Sequence, residues 1–363
     1  MGSALNATNG EWTSEHAPRL SPGLTQWLQE NALDLDTGAA QAAQVLPRLA
    51  EEGLFRLGLQ EDFSDFGDAV RSVVAVAEHS LTAAFVLWGQ RTFIEYLRNV
   101  QNPALRERYL PDLLAGRLAG STGLSNALKY LGGIEGLQLQ ARPVQEQWQI
   151  DGSLPWVTNL RPDSFLVAVV AGMPNEQVGV WVMEHGDAGL QRSADLDLVG
   201  LRGSNTAALS FDAVRVGRDR LMHDNAAEFV RLVRPRFLAL QCGMTLGLAR
   251  RSLLQVLQAP RRQWVQEQPA QRLLTRLEEL TQLLIGAASK PGSVPAPDLF
   301  RVRIELSALA AEAVALESSV AGGAAYLDGK HPQLLRRYRE ALFIPLITPS
   351  VAQLKAELGP EPA

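Results

Sequence analysis

The feature that most constrains this chain is a double switch in hydrophobic period. From about Leu24 to Leu114, apolar residues recur at three- and four-residue spacing, the period of an amphipathic helix. The clearest run is Val70, Val73, Val74, Ala77, Leu81, Ala84, Phe85, Trp88, and Pro103 and Pro111 punctuate the end of the region. From about Leu118 to Val216 the pattern changes to short β-branched or alternating runs: Leu137 to Gln140, Trp148 to Ile150, Ser164 to Ala171, Gln177 to Met183 and Ala207 to Val216. Turn residues separate them, among them Asp151-Gly152, Pro162-Asp163 and Pro174-Asn175. Strands at that spacing predict a compact antiparallel barrel or sandwich. From about Asn225 helical spacing returns, with one stripe of Leu273, Leu274, Leu277, Leu280, Leu283 and Leu284 and another through Ile304, Leu306, Leu309, Val314, Leu316 and Val320. Ala288 to Pro297, rich in Ser, Pro and Gly, reads as a loop between them. The expected architecture is α+β: an N-terminal helical domain over 1–116, a middle β domain over 117–222 and a C-terminal four-helix bundle over 223–363.

Composition narrows the class of protein. A chain of 363 residues can bury a substantial core without a disulfide or metal staple. Its formal net charge is -5 and it has no basic cluster, whereas duplex nucleic acid requires Lys and Arg to displace counterions. The single cysteine, Cys242, rules out an intrachain disulfide and a cysteine-based zinc cluster, and fits a reducing cytoplasm. Met1 to Gly10 is polar and has no apolar signal region, and no stretch reaches the roughly 18 to 20 apolar residues of a membrane span. The expectation is a soluble, cytoplasmic protein that acts on a small molecule.

Several local sequences sharpen this. Arg108-Tyr-Leu-Pro-Asp-Leu-Leu-Ala-Gly116 resembles the "RYLPxLaxG" link of the acyl-CoA dehydrogenases, and Asp151 to Asn159, reading DGSLPWVTN, resembles their "NGxKxWITN". Leu201-Arg-Gly-Ser-Asn-Thr206 with Leu209 to Val216 is similar to "LRGSxTxxLxFxxVxV". Ala321 to Tyr326 and His331-Pro332 with Arg337 to Ala341 are similar to "GGxGY" and "YPxxRxYRDA". The resemblance runs from about Leu46 to Leu354, and the order and spacing of the motifs carry it.

What the resemblance implies is an FAD site. A flavin ring needs a flat apolar wall and a hydrogen-bond donor near its hydride-accepting nitrogen. By resemblance these roles fall to Trp156 and Thr158; alternatively Trp156 is a strand-end aromatic packed under a loop. Leu124 and Ser125 stand where the family's "LTE" segment meets the flavin, although the rest of that segment is replaced and a plain loop serine is the other reading. The diphosphate needs a cation and close backbone. Arg262 with Trp264 and Gln271 match the family's pattern for an arginine lent by a neighbouring subunit, with Val265 in place of the usual Gly. Gly322 and Gly323 either approach the diphosphate or let two helices cross tightly, and Ser350 completes the implied cofactor set. A homodimer or homotetramer follows from the same resemblance.

The departures concern catalysis. Removing the α-proton of an acyl thioester takes a carboxylate. The family's usual position for it aligns with Thr348, and the alternative position on an earlier helix aligns near Phe237. Neither is acidic, and Glu228 lies more than two turns upstream of Phe237. Arg234 or Arg236 stands where a CoA thioester would be gripped, and Gln90 falls where related monooxygenases carry a catalytic His. His79 and His331 read as structural. Three functions remain open: an FAD-dependent oxidoreductase with an unusual substrate, a flavin-dependent monooxygenase supplied with reduced flavin by a partner, and a non-catalytic flavin-binding or scaffold protein.

Overall fold

Ser21 opens the first helix of the computed structural model, which describes residues 20–38, 40–259, 266–290, 292–327 and 329–359. Its hydroxyl accepts the Leu24 amide, and Pro22 sits in the first turn, where a missing N–H costs nothing. This helix, α1 (Pro22–Thr37), is followed by α2 (Ala42–Glu51), α3 (Phe66–Ala77), α4 (Leu81–Arg98) and α5 (Pro103–Leu114). Residues Leu81 to Leu97 of α4 are all buried, so α4 is the inner helix of this half; Ser80 caps it by accepting the Ala83 amide. Pro103 starts α5 and Pro111 lies inside it, so the two prolines shape the last helix of the region.

The middle of the chain contributes β1 (Ala119–Gly123), a short helix α6 (Ser125–Leu131), β2 (Leu139–Val144), β3 (Gln147–Val157), β4 (Phe165–Gly172), β5 (Val178–Glu184), β6 (Leu190–Arg192), β7 (Ala207–Val216) and β8 (Leu221–His223). The strands form one eight-stranded sheet in the order β6-β7-β3-β2-β4-β5-β8, with β1 beside β4. The expectation of a purely antiparallel sheet is corrected here, because the sheet is mixed. β1 runs parallel to β4 from Ala119 opposite Phe165 to Gly123 opposite Val169, and β2 meets β4 in parallel at Gln140 and Gly172. A parallel pair needs a long connection, and α6 with the β2–β3 hairpin supplies it between β1 and β4. β4 is buried along its whole length, which explains its unbroken apolar sequence. The segment from Ser125, expected as a loop, is helical; it contains no Pro or Gly to break a turn.

The last region consists of α7 (Ala226–Leu257), α8 (Glu267–Ser289), α9 (Ala296–Ala321), α10 (Pro332–Phe343) and α11 (Val351–Leu358). Leu273, Leu277, Leu280 and Leu284 are buried, Leu274 is partly buried, and Leu283 is exposed, so the expected stripe is narrower than its sequence. α7 packs against α8 and α9 on one side and α3 and α4 on the other. Gly243 and Gly247 permit that approach: a Cβ on Gly247 would stand 2.3 Å from the Val74 carbonyl oxygen and 2.6 Å from the Ala77 Cβ. One hydrophobic core consequently runs from Leu24 to Leu354, through helices and sheet alike.

Candidate functional site

A cleft opens where α4, α6 and α7 meet the segment before α11. Tyr96, Leu124, Arg234, Phe237 and Pro349 are among its walls, and its volume of about 10 Å³ holds roughly one water molecule. The two positions at which the resemblance would put a carboxylate base converge on it: Phe237 is a wall, and Thr348 precedes the wall residue Pro349. The structure brings the two together and neither is an acid. Ser125, the first residue of α6, meets Thr348 hydroxyl to hydroxyl at 2.8 Å. The Thr348 carbonyl accepts the Gln241 amide at 2.9 Å, and Gln241 accepts Arg303 Nε at 3.0 Å. Arg303 also donates to the Ile344 carbonyl at 2.5 Å, while its Nη1 has no partner. This guanidinium is fully buried and met by an amide and a carbonyl, so burial lowers its pKa. Cys242 nearby is buried too; its thiol is pushed up to about 11, which leaves it unreactive.

The two arginines of α7 point to different neighbours. Arg234 lines the cleft, pairs with Glu357 of α11 at 3.3 Å and lies 5.2 Å over the Phe300 ring, with Nε unpartnered. Arg236 lies 3.5 Å over Phe63 and 3.8 Å from Glu95, inside an ion cluster with Arg91 and Arg98. Of the two, Arg234 lines the cleft, and it does so with its apolar stem, since its guanidinium is turned to Glu357 and Phe300. Glu228 caps nothing in the cleft; it is exposed in the first turn of α7. Gln90 is fully engaged: Nε2 donates to the Leu113 and Leu118 carbonyls at 2.9 Å each, and Oε1 accepts the Gly120 amide and Asn159 Nδ2 at 2.7 and 3.1 Å. An amide so saturated has nothing left for a substrate.

Trp156 is 59% exposed near the end of β3, although Val157 and Thr158 beside it are buried. Thr158 Oγ1 donates to the Ser204 carbonyl at 3.4 Å, a long bond, and accepts Thr206 Oγ1 at 3.1 Å. Gly322 ends α9 at φ +60°, and a Cβ on Gly322 or Gly323 would meet nothing within 4 Å. Tight helix crossing is therefore not the reason for these glycines, and the edge they form is open. Ser350 caps α11 by accepting the Gln353 amide at 3.1 Å. Gln271 is exposed on α8 and bonds Glu267 at 3.2 Å. Arg262 and Trp264 lie outside the described residues. His331 stands at the start of α10 without a side-chain cap bond, and His79 lies 3.3 Å from Gln29 Nε2.

Sequence reasoning missed Gln241, Arg303 and Glu357. Gln241 is a polar residue inside an apolar helical run, but its contacts with Arg303 and Thr348 join segments far apart in the sequence. Among the described residues no cluster of His, Cys, Asp and Glu is built to hold a metal, and no helix is long and apolar enough to cross a membrane.

No family model matches the chain. Isovaleryl-CoA dehydrogenase of Pongo abelii mitochondria is 29% identical over 136 residues, covering 36% of this chain and 32% of that protein. The chain thus spans about a third of the length of that curated relative, and about half of others such as a probable acyl-CoA dehydrogenase of Bacillus subtilis, 26% identical and 51% covered. Among solved structures, a glutaryl-coenzyme A dehydrogenase in complex with glutaryl-CoA aligns with a TM-score of 0.76 at 16% identity, over 93% of both chains. The fold is that of the acyl-CoA dehydrogenases. The sequence relatives, together with that fold, support membership of the acyl-CoA dehydrogenase superfamily, at low identity.

Proposed function

We propose that the chain is an FAD-dependent oxidoreductase whose reaction does not use the carboxylate base of its relatives. The observation that carries the flavin reading is Trp156: an indole more than half exposed, beside exposed Pro155 and just before buried Val157 and Thr158, is an apolar wall without its cover. The residues present fit a flavin. Trp156 would lie against the ring, and Thr158 would turn its hydroxyl from the long Ser204 contact to a ring nitrogen. The open backbone at Gly322 and Gly323 would take the diphosphate. When bound, FAD supplies a hydride acceptor. A glutaryl-CoA dehydrogenase of Mycobacterium smegmatis, solved in complex with FADH2, shares the fold with a TM-score of 0.76 at 15% identity, which supports this choice of cofactor. Arg234 is the arginine nearest the cleft, and its guanidinium would have to leave Glu357 to meet an anionic substrate, including a CoA thioester.

A second reading, a flavin-binding or scaffold protein without catalysis, is favoured by the water-sized cleft and its lack of an acid. One experiment separates the cofactor question from the rest. Purified protein incubated with FAD or FMN should show a flavin spectrum and release FAD, and Trp156→Ala should weaken FAD binding by about 1 to 3 kcal/mol of lost stacked area. Protein that stays colourless with excess FAD and shows no thermal shift would end the proposal.

A further inference from the structure

We infer that Trp88 sets what the cleft admits: it backs the Phe237 wall and so shuts out a straight alkyl chain. This rests on the reading of the cleft as the substrate site. Phe237 is one wall of the cleft. Behind it, Trp88 stands edge-on to Phe237 with ring centroids 5.2 Å apart. Phe85 stacks on Trp88 at 5.5 Å and only 6° between planes, and Phe343 meets Phe85 edge-on at 5.1 Å. A file of four rings thus runs from the cleft across α7 and α4 to partly buried Phe343, the last residue of α10. The first three rings are 6%, 3% and 5% exposed, so they are packed solid.

The file is held by volume. The Trp88 indole N–H reaches only the Phe237 carbonyl at 3.5 Å, the outer limit of a hydrogen bond, so polar pairing contributes little to its position. Its frame does not give either. α4 is buried on every side, and its first amide, from Leu81, donates to Glu340 of α10 at 3.2 Å. A chain passing Phe237 must therefore displace a ring rather than a flexible aliphatic side chain. The space left in front of Phe237 is about one water. Deleting the indole should leave a void against Phe237 into which that ring can turn, opening an apolar space to the cleft, of the kind that stays dry and takes up apolar guests.

The test measures binding by calorimetry, on the full chain with and without FAD, using butyrate and decanoate as probes. Decanoate affinity should rise about tenfold or more in Trp88→Ala, the gain expected from burying a few methylenes, while butyrate affinity stays within about threefold. Phe237→Ala should raise decanoate affinity in the same way, and Trp88→Leu carries the comparison if the alanine variant does not fold. Wild-type protein binding decanoate as tightly as the variants would overturn the inference, as would folded variants that gain nothing. Failure to bind FAD with the decanoate gain intact would remove the oxidoreductase reading and leave the role of Trp88 standing.

Discussion

At Thr348 the hydroxyl is engaged by Ser125 and the carbonyl by Gln241, so the position offers no proton acceptor of carboxylate strength. A positioned general base contributes about 10² to 10⁴ in rate, and its absence should show directly. With FAD bound, saturated straight-chain acyl-CoAs are expected to leave the flavin absorbance unbleached under anaerobic conditions; rapid bleaching would mean another residue serves as base. His79 offers a second residue-scale test. Burial first, then Arg251 and Arg336, pull its pKa down to about 4. Between about pH 6.5 and 4 the unfolded chain therefore binds a proton that the folded chain refuses, and stability falls as pH drops through that window. His79→Gln keeps an amide toward Gln29 and should flatten the fall in melting temperature by a few degrees; a slope unchanged from wild type would contradict it. At this scale, the sequence singles out Trp156 and Thr158 as proposed flavin contacts because they share one contiguous motif. It does not single out Gln241 and Arg303, since they meet each other and Thr348 only after three distant segments have packed.

Among the elements, α7 and α3 make an exacting contact. Gly247→Ala would drive a Cβ into the Val74 carbonyl and the Ala77 methyl, and backbone cannot step aside as a side chain can. The expected cost is about 1 to 3 kcal/mol or more, read as a lower denaturation midpoint, with Gly286→Ala as the control because a Cβ there meets nothing. Most elements were readable from periodicity: β7 spans the same residues as its alternating run, and the loop between α8 and α9 falls inside 288–297. β6 and β8 are three residues each, too short to establish a period of two. β1 reads Ala-Gly-Ser-Thr-Gly, which lacks strand propensity; it exists because β4 offers it a ladder. The parallel pairing is likewise a property of distant partners, and no local pattern encodes it.

For the whole molecule, the unexplained surface is apolar. Tyr326, Leu327, Leu342 and Leu346 are all more than half exposed toward the carboxy-terminal end of the chain. By resemblance to the family a closed homodimer or homotetramer is the expected state, in which a partner subunit would cover such side chains. Light scattering at micromolar concentration checks it, and a monomer there would also leave the proposed diphosphate site without a second subunit's arginine. Gln90 has a consequence of a different kind. Its one amide group is shared by Leu113 of α5, Leu118 of the α5–β1 link, the Gly120 amide of β1 and Asn159 beyond β3, so parting the sheet from the inner helix breaks several of these bonds at once. No partial opening along that seam is cheap. The Gly120 amide should therefore surrender its hydrogen to deuterated solvent only when the entire chain unfolds, at the slowest rate in the protein, and the two halves should melt as a single cooperative unit.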